Sequence, residues 1–373
     1  RNPMLCPGKP ELIRLLESAS RSHQSQVVSS FSEEQINWAV RNGLGPLLVW
    51  ATREDRLRDT SALWPLLQGA DLTARVISAE HFDALTEIVD ACDFAAPLTL
   101  LKGISIADQY YPEPHLRPMR DIDLLVRAES VSTVEFALEK LGYVRRSKSG
   151  LPSTFFETYH HSMPFMHPRR NVWVEIHDRL FPPATFLGDS DTFSINRVVN
   201  EVHVSEFKKR RVSRLSPELQ LAYIASHWTR SFSTLGGVVA MLDMIFLLRA
   251  AHRSLDWDRL LHWLDGSVSA SHVYLILSYL KQYDLVKIEE SIFSKLALTQ
   301  RSFGKLNLKM LHRVIDRHML GGKSVDSKRV VELLSVVWGN LLLPSPPWLN
   351  LARASWNLLV PLSVRCQIAK LRI

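Results

Sequence analysis

With 373 residues, 46% hydrophobic and 22% charged, the chain has the composition of an ordinary soluble globular protein and room for two or three domains. A net charge of +7 and a pI of about 9.3 suit an anionic partner such as a nucleotide without selecting one. Its three cysteines (Cys6, Cys92, Cys366) are too scattered for a metal motif or a disulfide framework, so a reducing, cytoplasmic setting is expected.

The opening segment, RNPMLCPGKPELIRLLES, places charges and prolines where a signal peptide needs an apolar core. From Pro10 to about Phe94 the apolar spacing is helical. Ser32 followed by Gln35 reads as a capping box, and Leu72, Val76, Ile77, Phe82, Leu85 and Ile88 continue a helical period. At Ala96-Pro97 the texture changes. Leu98 to Leu101 reads as a short strand, Lys102-Gly103 as a turn, and Ile104 to about Tyr110 as a helix. A loop with three prolines follows, from Tyr111 to Met119.

The next strand carries Asp121-Ile122-Asp123 at the mouth of the apolar run Leu124-Leu125-Val126. Alternation puts Asp121, Asp123 and Leu125 on one face and Ile122, Leu124 and Val126 on the other, the side that can bury against helices. Two carboxylates at neighbouring same-face positions repel, and a hard divalent cation, Mg²⁺ or Mn²⁺, turns that repulsion into a binding site. Read alone, the pair is better taken as two solvated acids capping an edge strand.

Ala128 to Leu141 reads as a helix ended by Gly142, and Tyr143-Val144-Arg145 as the start of a strand. His160, His161 and His167 match no standard zinc spacing and are expected at surface or loop positions. In the strand NVWVEIH, Trp173, Glu175 and His177 share one face, while Val172, Val174 and Ile176 take the core side. The basic run Lys208-Lys209-Arg210-Arg211 reads as a solvated hairpin or loop. From Ser216-Pro217 helices persist, with candidates over 219–228, 238–251, 257–264, 273–283, 303–317 and 327–340. Gly236 to Leu248 is apolar but short and interrupted by Asp243, so a buried helix is expected rather than a membrane span. Gly322-Lys323-Ser324 ends like a P-loop, but no strand precedes it and the first glycine is missing, so a helix–helix loop is expected. The tail, 344–373, opens with Pro344, Pro346 and Pro347. Its helix packs on the helical region or lies on a membrane surface.

Three features then align: a strand ending in Lys-Gly, an outward Asp-x-Asp and a later outward acid, Glu175. A strand–Gly–helix junction aims free N–H groups and a helix dipole at an anion, and three carboxylates can hold divalent ions that bridge a triphosphate. The set suits phosphoryl or nucleotidyl transfer. LLKG, the tyrosine-proline loop, RPMRDIDLLV, a helix ending LGY, VEIH and the later SPELQLAYIASHW…LDMIFLL resemble the uncharacterised nucleotidyltransferase family of the DNA-polymerase-β-like superfamily.

The resemblance implies that Asp121 and Asp123 are metal ligands and that Glu175 is a third ligand or the base for an acceptor hydroxyl. Lys102 and Gly103 stand where that superfamily has a glycine-serine turn over the triphosphate, but Ile104 follows, and the first hydroxyl is Ser105. Arg117 and Arg120 either grip phosphates or form salt bridges that fix the loop. His177 either contacts substrate and site or is a hydrogen-bonded structural histidine. His227 and Asp243 are expected to tie helices together or line the cleft. Tyr110 and Tyr111 either stack on a base or pack beneath the loop.

The expected fold is α+β: a small mixed sheet over 95–214 with helices on one face, a helical region before it (1–94), a helical domain after it (215–343) and a tail helix (344–373). The expected activity is Mg²⁺- or Mn²⁺-dependent transfer of an NMP from an NTP, ATP by default, to an unidentified acceptor. An inactive nucleotide- or protein-binding relative and a membrane-surface scaffold are the alternatives. Nothing resembles the aromatic, basic platform that long nucleic acid needs.

Overall fold

The computed structural model describes residues 32–52, 63–92, 97–146, 156, 160–183, 185, 187–231 and 236–299, with isolated positions beyond. The expected helix over 327–340, most of 303–317, the Gly322–Ser324 loop and the tail 344–373 lie outside the described residues.

The helices are α1 (Glu33–Arg41), α2 (Gly45–Ala51), α3 (Trp64–Ala91), α4 (Lys102–Tyr110), α5 (Val131–Lys140), α6 (Ile195–Asn200), α7 (Pro217–Ser231), α8 (Gly236–Ala250), α9 (Trp257–Leu264), α10 (Val268–Gln282) and α11 (Glu290–Thr299). The strands are β1 (Thr99–Leu101), β2 (Ile122–Leu125), β3 (Val144–Arg145), β4 (Phe165–His167), β5 (Val172–His177), β6 (Val202–Phe207) and β7 (Arg210–Leu215). One mixed sheet joins the strands in the order β3-β4-β5-β2-β1-β7-β6. The acidic strand β2 is therefore at its centre, antiparallel to β1 and parallel to β5.

Several local signals act as their chemistry requires. Ser32 accepts from the Gln35 amide while the Gln35 side chain accepts from the Ser32 amide, a complete capping box at α1. Gly142, with φ +89°, takes the left-handed position after α5. The basic run is a hairpin turn: Lys208 and Lys209 have φ 44° and 64°, the sign pattern of a tight turn between twisted antiparallel strands. Lys208 reaches Asp83 and Arg210 reaches Asp90, so the hairpin is pinned to α3. One boundary differs from expectation. No separate turn precedes α4, because Lys102 itself adopts a left-handed φ of 42° and reverses the chain in a single residue.

The period-2 alternation of β2 and β5 holds on the core side. Ile122, Leu124, Val172, Val174 and Ile176 pack with Phe82, Leu85 and Ile88 of α3 and with Val134 and Leu138 of α5. The other face is covered as well. Leu101, Leu125 and Leu215 join a second core that runs through α1, α2 and the helices from α7 onward. α8 is buried nearly all round, as its apolar run requires. No described helix is long and apolar enough to cross a membrane.

Candidate active site

Strand register builds the site. Leu101 pairs with Asp123 across β1 and β2, and Asp123 pairs with Glu175 across β2 and β5. Registered partners in a sheet share a face, and His177 lies two residues beyond Glu175 on that face. Asp123, Glu175 and His177 each offer a ligand atom within 4.8 Å of the other two. Asp121, half-buried, stands just before β2 and is not in this compact set.

Asp123 is not a solvated acid: its side chain is 2% exposed. Its Oδ1 accepts from Lys102 Nζ at 2.8 Å and from His177 Nε2 at 2.8 Å. His177 Nε2 is also 3.9 Å from Glu175 Oε2. Burial, reinforced by the Lys102 charge, pulls His177 well below the ordinary histidine range, so the ring is neutral. A neutral ring donating to Asp123 carries its proton on Nε2. Its Nδ1 finds no hydrogen-bond partner among the described residues. For Lys102, burial opposes the charge, but Asp123, then Tyr223, Glu175 and Asp121, outweigh it and hold the ammonium above its usual range. One ammonium is thus drawn on by three carboxylates beside a neutral imidazole. Oxygen donors with a nearby imidazole suit a divalent cation.

Arg117 is committed elsewhere. Its Nε and Nη2 donate to the two Asp243 oxygens of α8, each at 2.8 Å, and the Tyr111 hydroxyl donates to Asp243 at 2.7 Å. Burial opposes the Arg117 charge and Asp243 restores it. Tyr111 also packs on Phe246, 4.4 Å between ring centroids, which is the packing alternative of the two weighed for it. Arg117 crosses directly over the turn: a Cβ on Gly103 would meet Arg117 Nη1 at 2.8 Å, so any larger residue there would push the guanidinium aside. Ser105 is fully buried and its hydroxyl accepts from Gln109. Arg120 is exposed. Neither has a contact that joins it to the acids.

His160 and His161 lie outside the strands, His160 buried, and both pack their rings against His177, each 5.2 Å between centroids. A backbone bridge between His161 and His177 brings that loop onto β5. The expectation of a surface or loop position fails at His167, which is buried on β4 against Tyr143. Tyr223, among the groups that raise Lys102, was not singled out by sequence. The available signal was its i, i+4 relation to His227 on α7, and the two rings do meet at 5.9 Å.

A family model described as an uncharacterised nucleotidyltransferase matches residues 32–283. The chain belongs to this family. The match runs from the cap of α1 to the end of α10 and contains the whole sheet. Comparison with curated proteins and with solved structures found no match. Membership implies a transferase with a nucleoside triphosphate substrate. The buried Asp123–Glu175–His177 group could hold a metal in it.

Proposed function

We propose that this nucleotidyltransferase moves an NMP from an NTP, ATP by default, to an acceptor hydroxyl, with Mg²⁺ or Mn²⁺ held by Asp123, Glu175 and Asp121. The observation that carries the reading is the registered pair Asp123–Glu175 beside the Lys102-Gly103 turn that opens α4. When bound, the ion supplies positive charge to the transferring phosphoryl group. The chain's own groups do the rest. Lys102, the Gly103 turn and the α4 N-terminus attract the triphosphate, with Arg117 crossing above. Ser105 is buried within α4 behind this turn, and Arg120 stands exposed just before Asp121. His177 orients Asp123. Glu175, with 14% of its side chain exposed against 2% for Asp123, takes the acceptor proton. The acceptor oxygen forms the new bond to the α-phosphorus as the bond to pyrophosphate breaks. Catalysis is then mostly positioning and charge neutralisation.

The acceptor is a protein side chain, a sugar, a small metabolite or a nucleic-acid end. Incubation with α-labelled NTPs and a cell lysate, followed by mass spectrometry, identifies it. Calorimetry with each NTP, with and without Mg²⁺, tests the site itself: absence of metal-dependent NTP binding overturns the proposal. A second reading, nucleotide binding without turnover, is favoured by the Lys102–Asp123 ion pair, which already neutralises one acid. Metal-dependent binding with no labelled product from any acceptor would select it.

A further inference from the structure

The ion pair between Lys102 and Asp123 has a direction as well as a distance. Lys102 Nζ donates to Asp123 Oδ1, on a carboxylate that a divalent ion would also need, and Glu175 and Asp121 draw on the same ammonium. The lysine backbone is left-handed, with φ 42°, a conformation that disfavours every residue with a Cβ. This strain points the side chain at the acids from the residue immediately before Gly103. The side chain keeps 19% exposure while its partner keeps 2%, so the lysine, not the aspartate, can swing out. Its alternative partner is adjacent, because the α4 N-terminus and Gly103 form the anion-attracting turn.

We infer that Lys102 is a resident counter-ion, which fills the acid site until a nucleoside triphosphate draws the ammonium away and lets the divalent ion in. The inference rests on the proposed function above and adds a rule of order to it. Metal and triphosphate bind as a pair, and metal alone binds weakly because it must displace a cation already paired with Asp123. His177 keeps Asp123 aligned throughout, since a neutral ring loses nothing when the cation beside it changes.

The sign of one substitution tests this. Lys102→Met removes the competing cation and the triphosphate contact together. Calorimetry with Mg²⁺ alone should show about tenfold tighter metal binding than in the wild-type chain, a coupling of ordinary size. Affinity for Mg²⁺ with α,β-methylene-ATP should fall. Lys102→Arg, which keeps the charge, should keep the weak metal-alone binding. Lys102→Gln replaces Lys102→Met if the latter does not fold. In ¹⁵N-lysine-labelled wild-type protein, the Lys102 ammonium signal should move on adding Mg²⁺ and the analogue together. Metal-alone binding no tighter in Lys102→Met or Lys102→Gln than in wild type overturns the inference, as does an ammonium signal unmoved by the pair. If wild type binds the analogue with Mg²⁺ normally while these results are negative, only the counter-ion role falls. If wild type binds neither, the proposed function falls and takes this inference with it.

Discussion

Two buried ion pairs meet the strand–turn–helix junction from opposite sides, and they are built differently. Arg117–Asp243 is bidentate, one guanidinium closing both oxygens of one carboxylate, with the Tyr111 hydroxyl completing the acid. Lys102–Asp123 is a one-point contact on an oxygen shared with His177, and two further carboxylates act on the same ammonium. The first pair has the geometry of a fastener, since a planar fork satisfies a carboxylate in a single arrangement. The second has the geometry of an exchangeable site, since a point charge on a flexible stem can leave without breaking a fork. Local balance, more than burial, separates the structural pair from the chemical one.

The largest effect should come from the exchangeable side. Asp123→Asn keeps the shape and the His177 contact but removes the charge that a cation needs, and turnover should drop on the order of 10³-fold or more. Assay with the identified acceptor checks it, with circular dichroism as the control for folding. Turnover at wild-type level would erase the distinction drawn between the two pairs. On the fastener side, Asp243→Asn strands a buried guanidinium and should cost about 3–5 kcal/mol in urea unfolding. Replacing the whole unit, Arg117→Met with Asp243→Leu and Tyr111→Phe, should return most of that stability, because well-packed apolar groups often match a buried ion pair. If the triple variant recovers stability and still binds NTP with Mg²⁺, Arg117 is a fastener alone. Lost NTP binding at recovered stability would give it a phosphate contact as well.

How much of this was legible depended on sequence distance. The alternation of β2 and β5 showed that Asp123, Glu175 and His177 face away from the core residues Ile122, Val174 and Ile176, because a two-residue period is local. The capping box at Ser32 and the glycine stop at Gly142 were equally local. The clamp between Arg117 and Asp243 spans 126 residues. Nothing short-range in either segment pairs them, although both residues had been weighed. The packing of His160 and His161 on His177 was hidden for the same reason, since only the bridge to β5 carries that loop to His177. The burial of Asp123 was not legible either. An acid at a strand end reads as solvated until the covering residues, Lys102 and the helical region, are known.

Acidification gives a smaller and graded comparison between the site and the helical region. His177 and His272 are both buried and neutral, and burial lowers His272 to about 3. Below about pH 6.5 the unfolded chain takes up a proton at each ring that the native chain does not. Stability contributed by keeping these rings neutral is therefore full above that pH and is lost as pH falls. Each histidine removes about 1.4 kcal/mol per pH unit until its native pKa is reached. Chemical unfolding between pH 7 and 5 should show the slope. His272→Gln should flatten it without touching turnover, because its partner is Ser226 in the helical region. His177→Gln should change both slope and turnover. Equal effects of the two variants on turnover would deny His177 its hold on Asp123.

The smallest effect concerns backbone strain, which the site and the β6–β7 hairpin share. Lys102 is left-handed at φ 42°, and Lys208 and Lys209 are left-handed at φ 44° and 64°. A left-handed residue with a Cβ costs about 1–2 kcal/mol, and asparagine and glycine relieve it in tight hairpin turns. In the hairpin Lys208 reaches the exposed Asp83 and lies over the Phe82 ring of α3, surface contacts of the kind that contribute little. Lys208→Asn with Lys209→Gly should therefore raise stability by about 1 kcal/mol and leave turnover unchanged. Lys102→Gly relieves the same strain and should do the opposite to function, because there the strained residue carries the ammonium that faces Asp123. Thermal unfolding and turnover, measured on both variants, separate strain that merely persists from strain that aims a side chain. A Lys102→Gly chain that gained stability and kept full turnover would place Lys102 with the hairpin lysines.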